Sequence, residues 1–259
     1  MAPVDLGLKG RHALVTGASR GLGRAVASGL AAEGADVVAV ARNLERLEAL
    51  ASECAGPGTI TAHACDLRDP RAISELGGAL GRSDILVLNT GGPPPGSAAD
   101  TSDSAWTQHF EAMFLSAIRL SRLSLAGMRE RGFGRIIVIV SSGVIQPIPN
   151  LAISNALRMA LVGWAKTLAA EVAGQGITVN CLAPGRISTD RVAELDHARA
   201  RREGISPEEA QKQSLATIPA GRYGEVGEFA SMATFLAGTR SAYMTGSVIR
   251  IDGGMIRSV

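Results

Sequence analysis

The stretch with the clearest chemical meaning is Thr16-Gly17-Ala18-Ser19-Arg20-Gly21-Leu22-Gly23, in which the glycines stand at T-G-x-x-x-G-x-G spacing. Glycine lets a backbone turn sharply and come close to a pyrophosphate, and the free N–H groups at a helix start carry partial positive charge towards it. Leu14 and Val15 end a buried strand before the turn, and the residues from Arg24 to Ala31 continue with helical periodicity. Strand, glycine turn and helix in that order make a candidate dinucleotide site.

The position just after the second apolar run bears on which dinucleotide is taken. A carboxylate there holds both ribose hydroxyls of NAD and repels a 2′-phosphate. Arg42 stands there instead, and Arg20 in the glycine turn can reach the same phosphate. Two guanidinium groups suit a phosphate dianion through bidentate, charge-assisted hydrogen bonds. These residues point to NADP(H) in preference to NAD(H); the plainer reading makes Arg42 a solvated turn residue.

A scaffold must bring these residues together. Short β-rich runs predict strands over 9–16, 35–41, 59–65, 84–89, 135–140, 177–182 and 247–252. Helices are predicted over 22–33, through 45–50, after the Asp69-Pro70 cap, over 103–130 and 152–173, and near 190–203, 207–215 and 225–237. Strand and helix alternate, and the strands are continuous apolar runs rather than alternating ones. That is the pattern of an α/β fold with a single doubly wound parallel sheet, a Rossmann fold, covered by helices on both faces. No linker or repeat divides residues 1–259, so one domain is expected. In such a sheet the ligand lies at the carboxyl ends of the strands, which directs attention to 16–23, 42–43, 66–67, 89–92, 141–142 and 183–189.

Composition limits the alternatives. The 259 residues are 46% hydrophobic and 19% charged, with a formal net charge of +2. This suits one soluble α/β domain with a substantial core and gives no argument for nucleic acid or a membrane surface. The densest charge run, Arg199-Ala200-Arg201-Arg202, reads as a solvated helix face. Cys54, Cys65 and Cys181 are few, odd in number and unclustered, which fits a reducing cytosol and offers no metal spacing. Met1 to Gly10 holds no long apolar run, so no signal peptide or membrane span is read there, and a cytoplasmic location is expected.

The glycine turn, Cys65-Asp66-Leu67, Asn89-Thr90-Gly91-Gly92, Ser141-Ser142, Ala183-Pro184-Gly185 and Ile251-Asp252-Gly253-Gly254 come in an order and spacing that resembles the short-chain dehydrogenases/reductases, most nearly their 3-oxoacyl-carrier-protein reductase-like branch. The resemblance covers essentially the whole chain. It implies that Gly17, Ser19, Arg20, Gly21, Leu22 and Gly23 form the pyrophosphate turn. Asp66 would accept from the adenine amino group and the Leu67 backbone would donate to the ring. Asn89 and Gly91 would lie along the adenosine ribose, and Pro184, Gly185, Ile187 and Thr189 would border the nicotinamide.

The same resemblance exposes departures. Members of the family place a Tyr and, four residues later, a Lys on the helix after the fifth strand, one turn apart and facing the cleft. Alignment through Arg158-Met159-Ala160-Leu161-Val162-Gly163 puts Ser154 at the Tyr position and Arg158 at the Lys position. A supporting Asn, counted from Trp106, falls on Met113. Ser141 or Ser142 takes the place of the substrate-orienting serine, and the spacing leaves both open. A phenol has a pKa of about 10 and can be tuned downwards by a cation, whereas the aliphatic hydroxyl of Ser154 is a far weaker acid. Arg158 keeps the charge and can hold ribose hydroxyls and the cofactor, but it does not supply a proton. Tyr223 and Tyr243 lie in segments that read as structural. His109, four residues before Met113, has a useful pKa but reads first as a packed or interface residue.

The leading expectation is an NADP(H)-dependent oxidoreductase that interconverts a carbonyl and an alcohol at an atypical site built from Ser141, Ser142, Ser154 and Arg158. Two alternatives stand beside it: a cofactor-binding pseudoenzyme that senses or scaffolds, and a non-redox biosynthetic enzyme reusing the pocket. Residues 186–218, with two polar helices punctuated by Gly204 and Pro207, read as a substrate lid. The apolar residues spread around the helices near 103–130 and 152–173 suggest partner subunits, and the resemblance implies a homodimer or homotetramer.

Overall fold

Runs rich in Val, Ile and Leu form the central strands of the sheet, because strands buried on both faces have no polar side to alternate with, while the edge strands carry more exposed positions. The computed structural model describes residues 5–258. Its strands are β1 His12–Thr16, β2 Asp36–Ala41, β3 Thr59–Ala64, β4 Ile85–Leu88, β5 Gly134–Ile139, β6 Ile177–Pro184 and β7 Val248–Ile251. They make one sheet in the order β3-β2-β1-β4-β5-β6-β7, and every neighbouring pair is parallel. The order reverses between β1 and β4, so the loops after those two strands part and leave a crevice.

The helices are α1 Gly21–Ala32, α2 Leu44–Ser52, α3 Pro70–Glu75, α4 Gly77–Arg82, α5 Asp103–His109, α6 Ser116–Arg131, α7 Ala152–Val172, α8 Asp190–Glu203, α9 Pro207–Leu215 and α10 Val226–Ala237. Sequence chemistry sets many of their ends. Asn43 accepts from the Arg46 N–H at 2.8 Å, Asp69 from Arg71 at 2.8 Å and Ser206 from Glu209 at 3.1 Å. Each satisfies a donor that a helix start leaves unpaired. Residue 20, before α1, makes no such side-chain cap, so the first-turn N–H groups of α1 face the crevice uncapped.

Two buried clusters fill the two sides of the sheet. One gathers α1 and α10, where Val26, Leu30, Phe229 and Leu236 are almost fully buried. Gly29 lets the two helices approach: a methyl group added there would lie 3.0 Å from the Thr234 hydroxyl. The other cluster gathers α3, α4, α6 and α7 through Ile73, Leu80, Leu120, Met128 and Leu161. Gly127 is needed there, because a methyl group would meet the Gly81 carbonyl at 2.0 Å.

The expected helix over 103–130 is not one rod. Residues Phe110–Leu115 form a π-helical turn between α5 and α6. The wider turn buries Met113 completely against Ile153 and Leu157 of α7, while α6 keeps its own apolar stripe on the sheet. The helix after Asp69 is two short pieces that meet at Leu76-Gly77. The first strand starts at His12 rather than Lys9, because Gly10 turns the chain at φ 74°. Among the described residues no helix is long and apolar enough to cross a membrane, and no group of three His, Cys, Asp or Glu is placed to hold a metal ion.

Candidate active site

A cleft of about 1180 Å³ runs along the carboxyl ends of the strands. Ordinary small-ligand pockets hold roughly 300–1,000 Å³, so this one has room for a dinucleotide and a substrate together. Its middle is the glycine turn. Gly17 at φ 62° and Gly21 at φ 56° occupy the left-handed region that side chains avoid. A methyl group on Gly23 would lie 2.2 Å from the Gly17 carbonyl oxygen, so only glycine permits this approach of α1 to the turn. Thr16 and Asn89 tie the ends of β1 and β4 together: the Thr16 hydroxyl donates to the Asn89 carbonyl at 2.9 Å and accepts from the Asn89 N–H at 2.8 Å. The neighbouring Thr90 hydroxyl is sealed from solvent and has no hydrogen-bond partner among the described residues. An uncapped helix start, a glycine cradle and an unpartnered hydroxyl on one wall fit a phosphate-bearing dinucleotide.

At one end of the cleft, Arg68 clamps the Asp66 carboxylate at 2.6 Å and holds it below the usual carboxylate range, with help from its own N–H and the charge of Arg42. Leu67 lies beside it, and Arg42 and Arg46 are exposed on the same rim. Arg20 lines the cleft but turns towards the polar helices: it donates to Glu194 at 3.2 Å and Asp190 at 3.4 Å. Ser19 and Leu22 line the turn, and Gly91 leaves the opposite wall open.

At the other end, Ser141, Ser142, Ser154 and Arg158 come together on one wall. Ser141 accepts from the Gly143 N–H at 3.0 Å, which makes it the cap of the turn Ser142–Val144. Ser142 and Ser154 are 4% and 8% exposed. Arg158 projects from α7 beneath them, 7% exposed, and its guanidinium donates to the Ile139 carbonyl at 2.7 Å and the Thr90 carbonyl at 3.3 Å. Burial, together with the charge of Arg191, pulls its pKa down to about 10, so it stays cationic at neutral pH. Pro184, Gly185, Ile187 and Thr189 also line the cleft. Gly185 packs against β7, where a methyl group would meet the Asp252 Cα at 2.7 Å.

Among the described residues no tyrosine lines the cleft. The Tyr223 hydroxyl donates to Asp196 at 2.7 Å, and the Tyr243 side chain stands in solvent. His109 does line the wall, with its pKa lowered by burial, beside the fully buried Met113.

Several participants had no signal in the sequence. Asp196, on a helix that reads as polar and solvated, is buried and accepts from Arg186, Tyr223 and Ser214, joining α8, α9 and the segment after β6. Arg191 crosses the cleft and donates to the Pro93 carbonyl at 2.6 Å. The run 199–202 is a solvated face only in part. Arg201 and Arg202 are exposed, but Arg199 turns inward to Gln213 at 2.8 Å and reaches the cleft, because α9 folds back over that side of α8.

A family model described as enoyl-(acyl carrier protein) reductase matches residues 17–256. The chain belongs to the short-chain dehydrogenase/reductase family, in its 3-oxoacyl-carrier-protein reductase-like part. It is 37% identical over 257 residues to 3-oxoacyl-[acyl-carrier-protein] reductase FabG of Escherichia coli strain K12, covering 96% of this chain and 99% of that one. Among solved structures, L-sorbose reductase of Gluconobacter frateurii, complexed with NADPH and L-sorbose, matches with a TM-score of 0.92 and 32% identity, covering 99% of this chain and 100% of that one. A single-substitution variant of actinorhodin polyketide ketoreductase, solved with NADPH, matches at 0.89 and 33%, covering 95% and 97%.

Proposed function

We propose that the protein is an NADP(H)-dependent oxidoreductase that interconverts a carbonyl and an alcohol. One observation carries this reading: a single continuous cleft joins the arginine-rich rim at Arg42 and Arg46, the glycine turn, and the wall of Ser142, Ser154 and Arg158. The Escherichia coli relative is named a reductase, and the two structural neighbours above, also named reductases, were solved with NADPH. In this reading Gly17, Gly21, Gly23 and the start of α1 bind the pyrophosphate. Arg42, assisted by Arg46, takes the 2′-phosphate; Asp66 and Leu67 hold the adenine; Asn89 and Gly91 flank its ribose. Pro184, Gly185, Ile187 and Thr189 orient the nicotinamide, whose bound form supplies or accepts hydride.

The chain's own share of the chemistry is orientation. The Ser142 and Ser154 hydroxyls donate hydrogen bonds to the reacting oxygen, and Arg158 fixes positive charge under it. Neither serine is acidic enough to replace a phenol, so water or the substrate supplies the proton. The helices over 190–215 act as the lid of this cleft. Phe110 and Met159, exposed on the α5–α6 and α7 sides, support a homodimer or homotetramer built on those helices.

The complete burial of Met113, where the family would place a polar residue, and the absence of a cleft tyrosine among the described residues favour a second reading, a cofactor-binding protein without hydride transfer. Titration with NADPH and with NADH at one salt concentration tests the shared premise. Micromolar NADPH binding, much tighter than NADH, is expected; binding of neither nucleotide overturns both readings. NADPH consumption with a carbonyl panel then separates them.

A further inference from the structure

The guanidinium groups of the cleft are unevenly paired. Arg68 has Asp66, Arg20 has Asp190 and Glu194, Arg186 has Asp196 and Arg199 has Glu203. Arg191 lies 3.6 Å from Glu194. Arg42 and Arg46 form no ion pair among the described residues, but both are exposed and hydrated. Arg158 differs from all of these. It is buried, its two hydrogen-bond partners are backbone carbonyls, and it makes no ion pair with any carboxylate among the described residues, while the like charge of Arg191 bears on it.

A desolvated guanidinium without a counter-ion is costly unless the site is built to receive one. Two carbonyls use two of its five N–H donors and neutralise none of its charge. The nicotinamide ribose, in the reading above, can offer further acceptors, yet it is a neutral diol. The carboxylates on the cleft wall, Asp66, Asp190 and Glu194, are already held by Arg68, Arg20 and Arg191. The wall around Arg158 otherwise offers hydroxyls: Ser142, Ser154 and the unpartnered Thr90.

We propose that the substrate of this cleft is an anion, an oxo acid or hydroxy acid whose carboxylate pairs with Arg158 while its carbonyl or hydroxyl oxygen is held by Ser142 and Ser154. Arginine suits this role where lysine does not, because its planar fork can meet both carboxylate oxygens while other N–H groups stay anchored to the backbone. The carboxylate brings the charge that no described side chain supplies, and Arg191 adds a second positive potential on the lid side.

The inference rests on the oxidoreductase reading, and its test separates the two. Acetoacetate and methyl acetoacetate share a carbonyl and differ in charge. Each is titrated into the NADPH-saturated protein, following NADPH fluorescence and, by calorimetry, binding itself. Acetoacetate is expected to bind about ten-fold or more tighter than the ester, in line with a hydrogen-bonded pair to a charged group. Arg158→Met is expected to abolish that preference and Arg158→Lys to retain part of it, with far-UV circular dichroism and a cooperative urea transition in each variant reporting that the fold is intact. Equal binding of acid and ester to the wild-type protein overturns the proposal and leaves the oxidoreductase reading standing. If NADPH itself does not bind, that reading fails, and the same acid-to-ester ratio on the nucleotide-free protein decides the anion site alone.

Discussion

The Asn89 side-chain amide donates to the Gly17 carbonyl at 3.3 Å, and the same Gly17 carbonyl lies where a methyl group on Gly23 would fall. One backbone oxygen is thus held from the β4 side and approached from the α1 side, and it fixes the shape of the glycine turn.

Gly23→Ala is the direct test of that packing. The clash is with backbone, at 2.2 Å, so neither partner can swing aside. A loss near the upper end for overpacking, about 3 kcal/mol, is expected, seen as a fall of roughly 5–10 °C in Tm. NADPH binding should fall with it, since the N–H groups of α1 move away from the turn.

The nucleotide rim predicts a change of preference. Arg42→Ala removes a cation that faces no carboxylate at bonding distance, so folding stability should hold within about 0.5 kcal/mol. NADPH affinity should drop about ten-fold or more with NADH affinity nearly unchanged, and the loss should shrink as salt is raised. Equal losses for the two nucleotides would remove Arg42 from the 2′-phosphate site.

Asp196 predicts an asymmetry between two substitutions at one buried group. Asp196→Asn leaves the half-buried Arg186 without its anion and should cost about 3 kcal/mol in urea unfolding. Tyr223→Phe removes one neutral donor to the same carboxylate and should cost about 1 kcal/mol. A double substitution costing less than the sum is expected, because both act on one acceptor.

At the start of α10, Arg222 holds Glu228 at 2.6 Å, and with the Glu225 N–H it lowers the Glu228 pKa to about 2. A carboxylate with a depressed folded-state pKa adds stability above its ordinary pKa and loses it as pH falls towards the folded value. The wild type should therefore exceed Arg222→Ala in urea midpoint at pH 7. The gap should narrow between the ordinary carboxylate value of 4.5 and about 2. A gap that does not change with pH would assign the effect of Arg222 to packing.

The fold was legible because β1, β4, β5 and β6 are buried on both faces and show as unbroken apolar runs, while Gly17, Asp66 and Pro184 mark the strand ends by residue type. The cleft's first layer, from Ser19 to Thr189, followed from that order. What stayed hidden depends on geometry that periodicity does not encode. The π turn at Phe110–Leu115 keeps the apolar content of a regular helix, so nothing in residue type announces that Met113 rotates inward. Asp196 and Arg199 sit among charged neighbours on α8 and look solvated until α9 folds back on them. Arg158 can be counted into place, but the lack of a counter-ion around it emerges only when the three-dimensional neighbours are known.

The packing of α1 against α10 has a consequence for how the chain is made. The nucleotide turn and α1 are made well before Phe229, Ala230 and Thr234, which cover α1. Until α10 is made, the side of α1 that meets Phe229 and Ala230 lacks that cover, although its other side already packs on the sheet. Domains of this size expose such surfaces to chaperones and to one another while they wait. A nascent chain stopped before residue 226 should thus be more protease-sensitive around α1 than one that includes α10, even with its whole glycine turn synthesised.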